Sequence, residues 1–143
     1  MKTVAELTDL FRAQGLRVTP QRQAIFGLLQ SNGEHPTVES LYDEVRGDLP
    51  TISLKTVYET VHELEELGEV SVLDVGTGSV RVDPNVEVQH HHMVCTVCGM
   101  VRDVPWVDVP TLPTTYRKEF RPEAVEVIFR GICERCSKTT TEE

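Results

Sequence analysis

Four cysteines stand in two pairs, Cys95/Cys98 and Cys133/Cys136, and three histidines, His90, His91 and His92, run together just before the first pair. A C-x2-C turn presents two thiolates to one ion, and two such turns supply the S4 set that suits a structural zinc. The 34 residues between the pairs exceed the usual zinc-ribbon interval. Strands entering from both ends of that segment can still bring the turns together, and Gly99 after Cys98 fits such a knuckle. The same cysteines could instead form a reversible disulfide, or one pair could work in thiol exchange. Exchange motifs open a helix beside a parallel sheet, a context expected of neither pair here.

Four thiolates close one tetrahedron, which leaves the histidines for a second site. In a strand His90 and His92 share a face while His91 points the other way, so His90 and His92 are spaced to chelate. Further donors within reach are His35, Asp83 and Asp103. Each taken singly is more often a cap or a surface group. Taken together, His35 and Asp83 precede a hinge, and His90, His92 and Asp103 follow it. One ion binding all five would therefore fix the angle between two domains. Mixed imidazole and carboxylate ligands favour Fe(II), Mn(II) or Zn(II) over thiolate-loving ions.

Helices must position the earlier residues. Val4, Leu7, Leu10 and Phe11 keep an i, i+3, i+4 rhythm that Gly15 ends. Thr19-Pro20 opens a second helix with Ala24, Ile25, Leu28 and Leu29 as its stripe. After the connector His35-Pro36-Thr37, a third helix carries Val38, Leu41, Tyr42 and Val45. Ser53 caps a fourth, lined by Val57, Val61, Leu64 and Leu67 and stopped by Gly68. "EVSVLDVGTGSVRVD" then alternates and turns at Gly76-Thr77-Gly78, as a two-stranded hairpin does. Helices followed by a hairpin predict a winged helix-turn-helix over residues 1–83, with residues 53–67 in the recognition position. Pro84-Asn85 marks a hinge at 84–86, and residues 87–143 read as a small α/β domain. There the strand-like runs are VEVQHHHMVC, MVRDVPWVDV and EAVEVIFRGIC, with a short helix near Leu112 to Phe120 and a frayed SKTTTEE tail. The fold class is thus α+β.

Charge constrains the partner. Fourteen basic and twenty-three acidic residues give −9, and residues 1–82 hold seven of the former and thirteen of the latter. Indiscriminate nucleic-acid binding is excluded on that balance; a DNA partner requires focused basic groups. Lys55, Thr56, Tyr58 and His62 lie off the apolar stripe of the fourth helix, largely in its first turns, while Glu63, Glu65 and Glu66 crowd its far end. Such a helix can meet DNA only by its N-terminal half, and a protein-binding winged domain is the bland alternative. No apolar run is long enough to span a bilayer, and "MKTVAELTDLF" reads as an amphipathic helix, so cytoplasmic residence without membrane association is expected. Neither H-E-x-x-H nor the deaminase H-x-E with P-C-x-x-C is present, so no enzyme is expected. A zinc-stabilised adaptor that does not bind DNA is the remaining class.

The segments "LRVTPQRQAIF", "HPTVESLYDEV", "ISLKTVYETVHELEELGEV", "HHHMVCTVCG" and "GICERC" occur in this order. With them the chain strongly resembles the Fur (ferric uptake regulator) family of metal-dependent repressors from Leu7 to Cys136, most closely its peroxide-sensing PerR branch and the actinobacterial FurA-like members. The resemblance implies a winged helix, a hinge and a C-terminal dimerisation domain, with operator DNA and a second copy of the chain as partners. By position, Cys95, Cys98, Cys133 and Cys136 match the structural zinc ligands, and His35, Asp83, His90, His92 and Asp103 the regulatory ones. Thr56 and Tyr58 match DNA-reading positions, with Arg17, Gln21, Arg22 and Lys55 as nearby contacts. Ala124 and Val125 stand where a third family site takes a histidine. Asp103 stands where uptake regulators carry glutamate and peroxide sensors carry aspartate. The resemblance therefore implies Fe(II) that reduces peroxide and oxidises His35 and His90, and Mn(II) as a less reactive substitute. A regulator of iron, zinc or nickel uptake is the alternative within the family.

Overall fold

The structure is a computed structural model that describes residues 1–30 and 32–140. The chain divides into two compact units, Met1–Val88 and a second that begins at Gln89.

In the first unit every helix starts on a hydroxyl. Thr3, Thr19, Thr37 and Ser53 accept the N–H of the residue three positions on, opening α1 (Val4–Ala13), α2 (Pro20–Leu29), α3 (Val38–Asp48) and α4 (Leu54–Glu66). Each satisfies a donor that the first helical turn would otherwise leave unpaired. Gly15 and Gly68, at φ 70° and 71°, take the left-handed turn that ends α1 and α4. Leu7, Phe11, Ile25, Leu29, Leu41, Val57 and Leu64 meet in one fully buried core. Phe26 belongs to it as well, edge-on to Phe11 with ring centroids 4.8 Å apart. The α2 stripe is therefore turned toward Phe26, and Ala24 and Leu28 are only partly buried.

The hairpin is shorter than its alternating text. Strands β1 (Ser71–Leu73) and β2 (Arg81–Asp83) pair antiparallel, Ser71 opposite Asp83. Asp74 Oδ1 accepts the Gly76 N–H at 3.0 Å, and this local turn draws the chain out of the ladder before more pairs form. Val82 N–H donates to Pro36 O at 2.8 Å, which ties β2 to the connector between α2 and α3.

The second unit is a three-stranded sheet in the order β4-β3-β5, from β3 (His90–Cys95), β4 (Val101–Pro105) and β5 (Ile128–Gly131). β4 runs antiparallel to β3, and β5 runs parallel to it. All three expected runs are trimmed. The β3–β4 ladder stops where His90 faces Pro105, because proline has no N–H to carry it further; residues 86–89 and 106–110 lie outside the sheet, as do residues 123–127. A single 3-10 turn at Tyr116–Lys118 falls within the segment expected to be a short helix. The expected frayed tail is corrected in part: Ser137–Thr140 belong to α5 (Glu134–Thr140). Its first turn is closed by Ser137 N–H on Cys133 O at 2.9 Å. Residues 141–143 of that tail lie outside the described residues. Among the described residues no helix is long and apolar enough to cross a membrane.

Candidate metal centres and nucleic-acid interface

The two cysteine pairs meet at the end of the β3–β5 pair. β3 runs into Cys95, the chain reverses with Gly99 N–H on Cys95 O at 2.9 Å, and Gly99 takes φ 72°. Thr96 N–H on Gly131 O at 2.8 Å brings the exit of β5 alongside. One sulfur from each of Cys95, Cys98, Cys133 and Cys136 lies within 4.8 Å of the others. The 3.8 Å contact of Cys98 with Cys133 crosses between the pairs. None of the four is in a disulfide.

Their chemistry is that of a cluster short of positive charge. Backbone N–H groups of Cys98 and Cys133 pull Cys95 down to about 6, and the Met100 N–H lowers Cys98. Cys136 is pushed up to about 12 because its thiol serves the sulfur of Cys133. Cys136 therefore holds its proton more tightly than an ordinary thiol, while Cys95 and Cys98 hold theirs less tightly. A divalent cation removes that conflict, since zinc binds thiolates and displaces the proton; the donor set and its spread fit tetrahedral zinc. Arg135 is a member that sequence reasoning missed. Its guanidinium is raised above its ordinary value chiefly by a hydrogen bond to Cys98, to which the nearby sulfurs of Cys98 and Cys133 add. Its only signal was a basic residue inside "CERC". One expectation fails here, because Cys133 and Cys136 do sit at a helix start beside a parallel strand pair. The convergence of all four sulfurs still favours the shared-ion use.

The remaining ligand candidates fall into two sets. In the first unit His35 Nε2 lies 3.6 Å from Asp83 Oδ2, both side chains at most 2% exposed. His35 Nδ1 lies 3.0 Å from Gly33 O; a carbonyl can only accept, so Nδ1 carries a proton, and in the neutral ring that binds metal Nε2 presents its lone pair. Asp83 Oδ1 accepts the Asn85 N–H at 2.8 Å, which leaves Oδ2 toward the imidazole. His35 adopts φ 52°, a left-handed conformation uncommon outside glycine and found where surrounding structure demands it.

In the second unit His92 faces Asp103 across the β3–β4 ladder. Asp103 Oδ1 is 3.4 Å from His90 Nε2 and 3.8 Å from His92 Nε2, and the two rings stand 4.8 Å apart. Strand alternation places His91 on the other face, as expected. There it stacks on Trp106 at 4.7 Å and accepts the Val127 N–H on Nδ1 at 3.3 Å. Nitrogen and carboxylate oxygen, with no sulfur, suit Fe(II), Mn(II) or Zn(II).

The DNA-facing candidates divide more sharply. Lys55 is exposed and lies 3.5 Å from Glu59; Arg17 is exposed and Gln21 half-buried. The Thr56 hydroxyl shares a 2.9 Å hydrogen bond with the cap Ser53. Tyr58 donates its hydroxyl to Glu39 at 2.6 Å. That bond holds the Glu39 carboxyl below the usual range and raises the phenol. His62 is exposed, with Glu66 3.5 Å from its Nε2. Arg22 is placed otherwise than expected. It lies 2.8 Å from Glu63 with its side chain only 13% exposed, donates to Arg17 O, and sits over the Phe11 ring, so its charge is already engaged between α2 and α4. Arg22→Ala is expected to cost about 1–3 kcal/mol, between an exposed and a fully buried pair. The denaturant midpoint measures that loss.

Four helices with a two-stranded wing, followed by a sheet that carries separate sulfur and imidazole–carboxylate clusters, define a winged-helix metalloprotein. The chain belongs to the ferric uptake regulator family, whose model matches residues 13–128. It is 32% identical over 127 residues to the peroxide-responsive repressor PerR of Staphylococcus aureus (strain Mu50 / ATCC 700699), covering 87% of this chain and 85% of the relative. The Helicobacter pylori ferric uptake regulator shares the fold with a TM-score of 0.73 at 20% identity, covering 96% of this chain and 97% of that one. The Campylobacter jejuni peroxide stress regulator superposes with a TM-score of 0.62 at 27% identity, covering 95% of this chain and 100% of that one.

Proposed function

We propose that this protein is a metal-dependent transcriptional repressor that binds double-stranded operator DNA as a cytoplasmic homodimer and senses hydrogen peroxide. The observation that carries this reading is the Asp103 carboxylate standing between the Nε2 atoms of His90 and His92. The short aspartate occupies the position that distinguishes peroxide sensors by resemblance, and relatives at 32% identity are named for peroxide response. By the resemblance, the regulatory ion would be held by His90, His92 and Asp103 together with His35 and Asp83. Neither set alone fills a coordination sphere, and the Nδ1 bond of His35 to Gly33 O readies its Nε2 as a ligand. Bound Fe(II) supplies the one-electron chemistry that turns peroxide into an oxidant beside the imidazoles. The hinge at 84–86 is what such an ion would hold, and loss of a ligand frees it. Cys95, Cys98, Cys133 and Cys136 would hold the structural zinc. Met93, Phe129 and Ile132 are exposed in the β-sheet unit, apolar surface that a second copy covers on dimerisation.

The DNA-reading groups are Thr56 and Tyr58 on α4, with Arg17, Gln21 and Lys55 beside them. Operator binding should appear with Mn(II), vanish with chelator and fall steeply with salt, as fluorescence anisotropy reads. Lys55→Ala should weaken binding across all sequences and reduce the log–log salt slope by about one. Tyr58→Ala should instead narrow the gap between operator and random DNA. Equal affinity of the parent protein for both DNAs would end the repressor reading.

A further inference from the structure

We infer that Glu126 is a positioning residue for the regulatory metal, accepting the Nδ1–H of His92 and thereby turning Nε2 of that ring toward the ion. This assignment rests on the reading of His92 as a metal ligand.

Glu126 belongs to none of the recurring segments, and lies in a stretch without regular structure between Tyr116–Lys118 and β5. Its place is nevertheless determined. The next residue, Val127, is held by both of its backbone groups: the His92 N–H donates to Val127 O at 3.3 Å, and the Val127 N–H donates to His91 Nδ1 at 3.3 Å. The parallel ladder then begins with His92 beside Ile128. Consecutive histidines thus fix the residue after Glu126, one by its main chain and the other by its ring.

The result is that Glu126 Oε1 lies 3.3 Å from His92 Nδ1, while Nε2 of the same ring faces Asp103 Oδ1 at 3.8 Å. A neutral imidazole has one proton and one lone pair, so it cannot serve two carboxylates alike. Asp103 also approaches His90 Nε2 and belongs with the ligands. Nε2 of His92 therefore faces the ion, and Nδ1 is turned toward Glu126. His35 repeats the pattern with a neutral partner, its Nδ1 resting on Gly33 O at 3.0 Å. A carboxylate in that role makes the imidazole a stronger donor and restrains its ring, and removal of such partners costs about 10–100-fold in metal affinity. Glu126 is half exposed, which places the expected loss near the lower end.

The test uses the full chain with its cysteine-bound zinc, the parent and Glu126→Ala, Glu126→Gln and His92→Ala variants, and Mn(II) as the probe. Free Mn(II) is read by electron paramagnetic resonance during anaerobic titration. Glu126→Ala should weaken Mn(II) about tenfold with zinc content and unfolding midpoint unchanged. Glu126→Gln, whose amide oxygen still accepts a hydrogen bond, should recover most of that loss. With Zn(II) in the regulatory site, nitrogen-15 spectra of the parent should show His92 protonated on Nδ1, and Glu126→Ala should lose that proton signal to exchange. Mn(II) affinity of Glu126→Ala within twofold of the parent would overturn the inference. So would a Glu126→Gln variant as weak as the alanine, which would make Glu126 a ligand itself. Undiminished Mn(II) binding by His92→Ala would remove the ligand reading, and the inference with it.

Discussion

Cys95→Ser is expected to release the tightly held zinc and to leave the β-sheet unit unable to fold or dimerise, the largest effect of any single substitution considered. The reason lies in how little else that unit buries. From Gln89 onward the buried apolar side chains are Val94, Cys95 and Val101 among the described residues, against more than a dozen in the first unit. A core of that size does not hold three strands together, and small units below the self-supporting size rely on metals or partners. Structural zinc contributes apparent free energies of about 10–16 kcal/mol in small zinc domains, far above what Val94 and Val101 can add. Elemental analysis and sedimentation velocity measure the two losses. His92→Ala serves as the contrast, expected to keep zinc and dimer while losing Mn(II)-dependent operator binding. A Cys95→Ser protein with full zinc and an intact dimer would overturn the four-sulfur site.

Peroxide should act only on the iron form. After anaerobic loading with Fe(II) and a slight excess of hydrogen peroxide, the peptides containing His35 and His90 are expected to gain one oxygen, and operator affinity is expected to collapse. In net terms one oxygen atom of peroxide enters the imidazole and the other leaves as water. Mn(II)-loaded protein should show neither change. Each target has a carboxylate of the ligand set beside its Nε2, His35 at 3.6 Å from Asp83 and His90 at 3.4 Å from Asp103. Asp103→Glu adds one methylene and changes how the carboxylate can approach the ion. It should keep metal-dependent DNA binding and lose much of the peroxide sensitivity, as mass spectrometry and anisotropy measure in parallel. Unmodified histidines and undiminished DNA binding in the iron form would assign the protein to the metal-uptake side of the family.

The helical unit was legible because its signals are local. A hydroxyl cap, an apolar stripe and a glycine stop are each read within a few residues, and all four helices carry the cap and the stripe while α1 and α4 also carry the stop. The face separation of His90 and His92 from His91 was equally legible, since it needs only the period of a strand. What sequence could not show depends on residues far apart in the chain. Pro105 ends a ladder whose other strand begins at His90, and Glu63 claims Arg22 from 41 positions away. Glu126 reaches His92 only because Val127 is held beside it. The carboxylate near Tyr58 likewise comes from a neighbouring helix, α3. Long-range polar partners, rather than elements, were the missing information.

The parallel pairing of β3 with β5 also has a consequence in time. A hairpin such as β3–β4 can form as soon as its second strand leaves the ribosome, but β5 and the second cysteine pair follow much later. Cys133 is 35 positions beyond Cys98, an interval of about 2–7 s at synthesis rates of about 5–20 residues per second. During that interval the Cys95 and Cys98 thiols are made but can offer an ion only half a tetrahedron. The first unit, whose helices touch their sequence neighbours, is by then free to fold. Biosynthesis thus orders the molecule: the winged-helix half matures first, and the half that carries the four cysteines waits for a strand and a cation to arrive together.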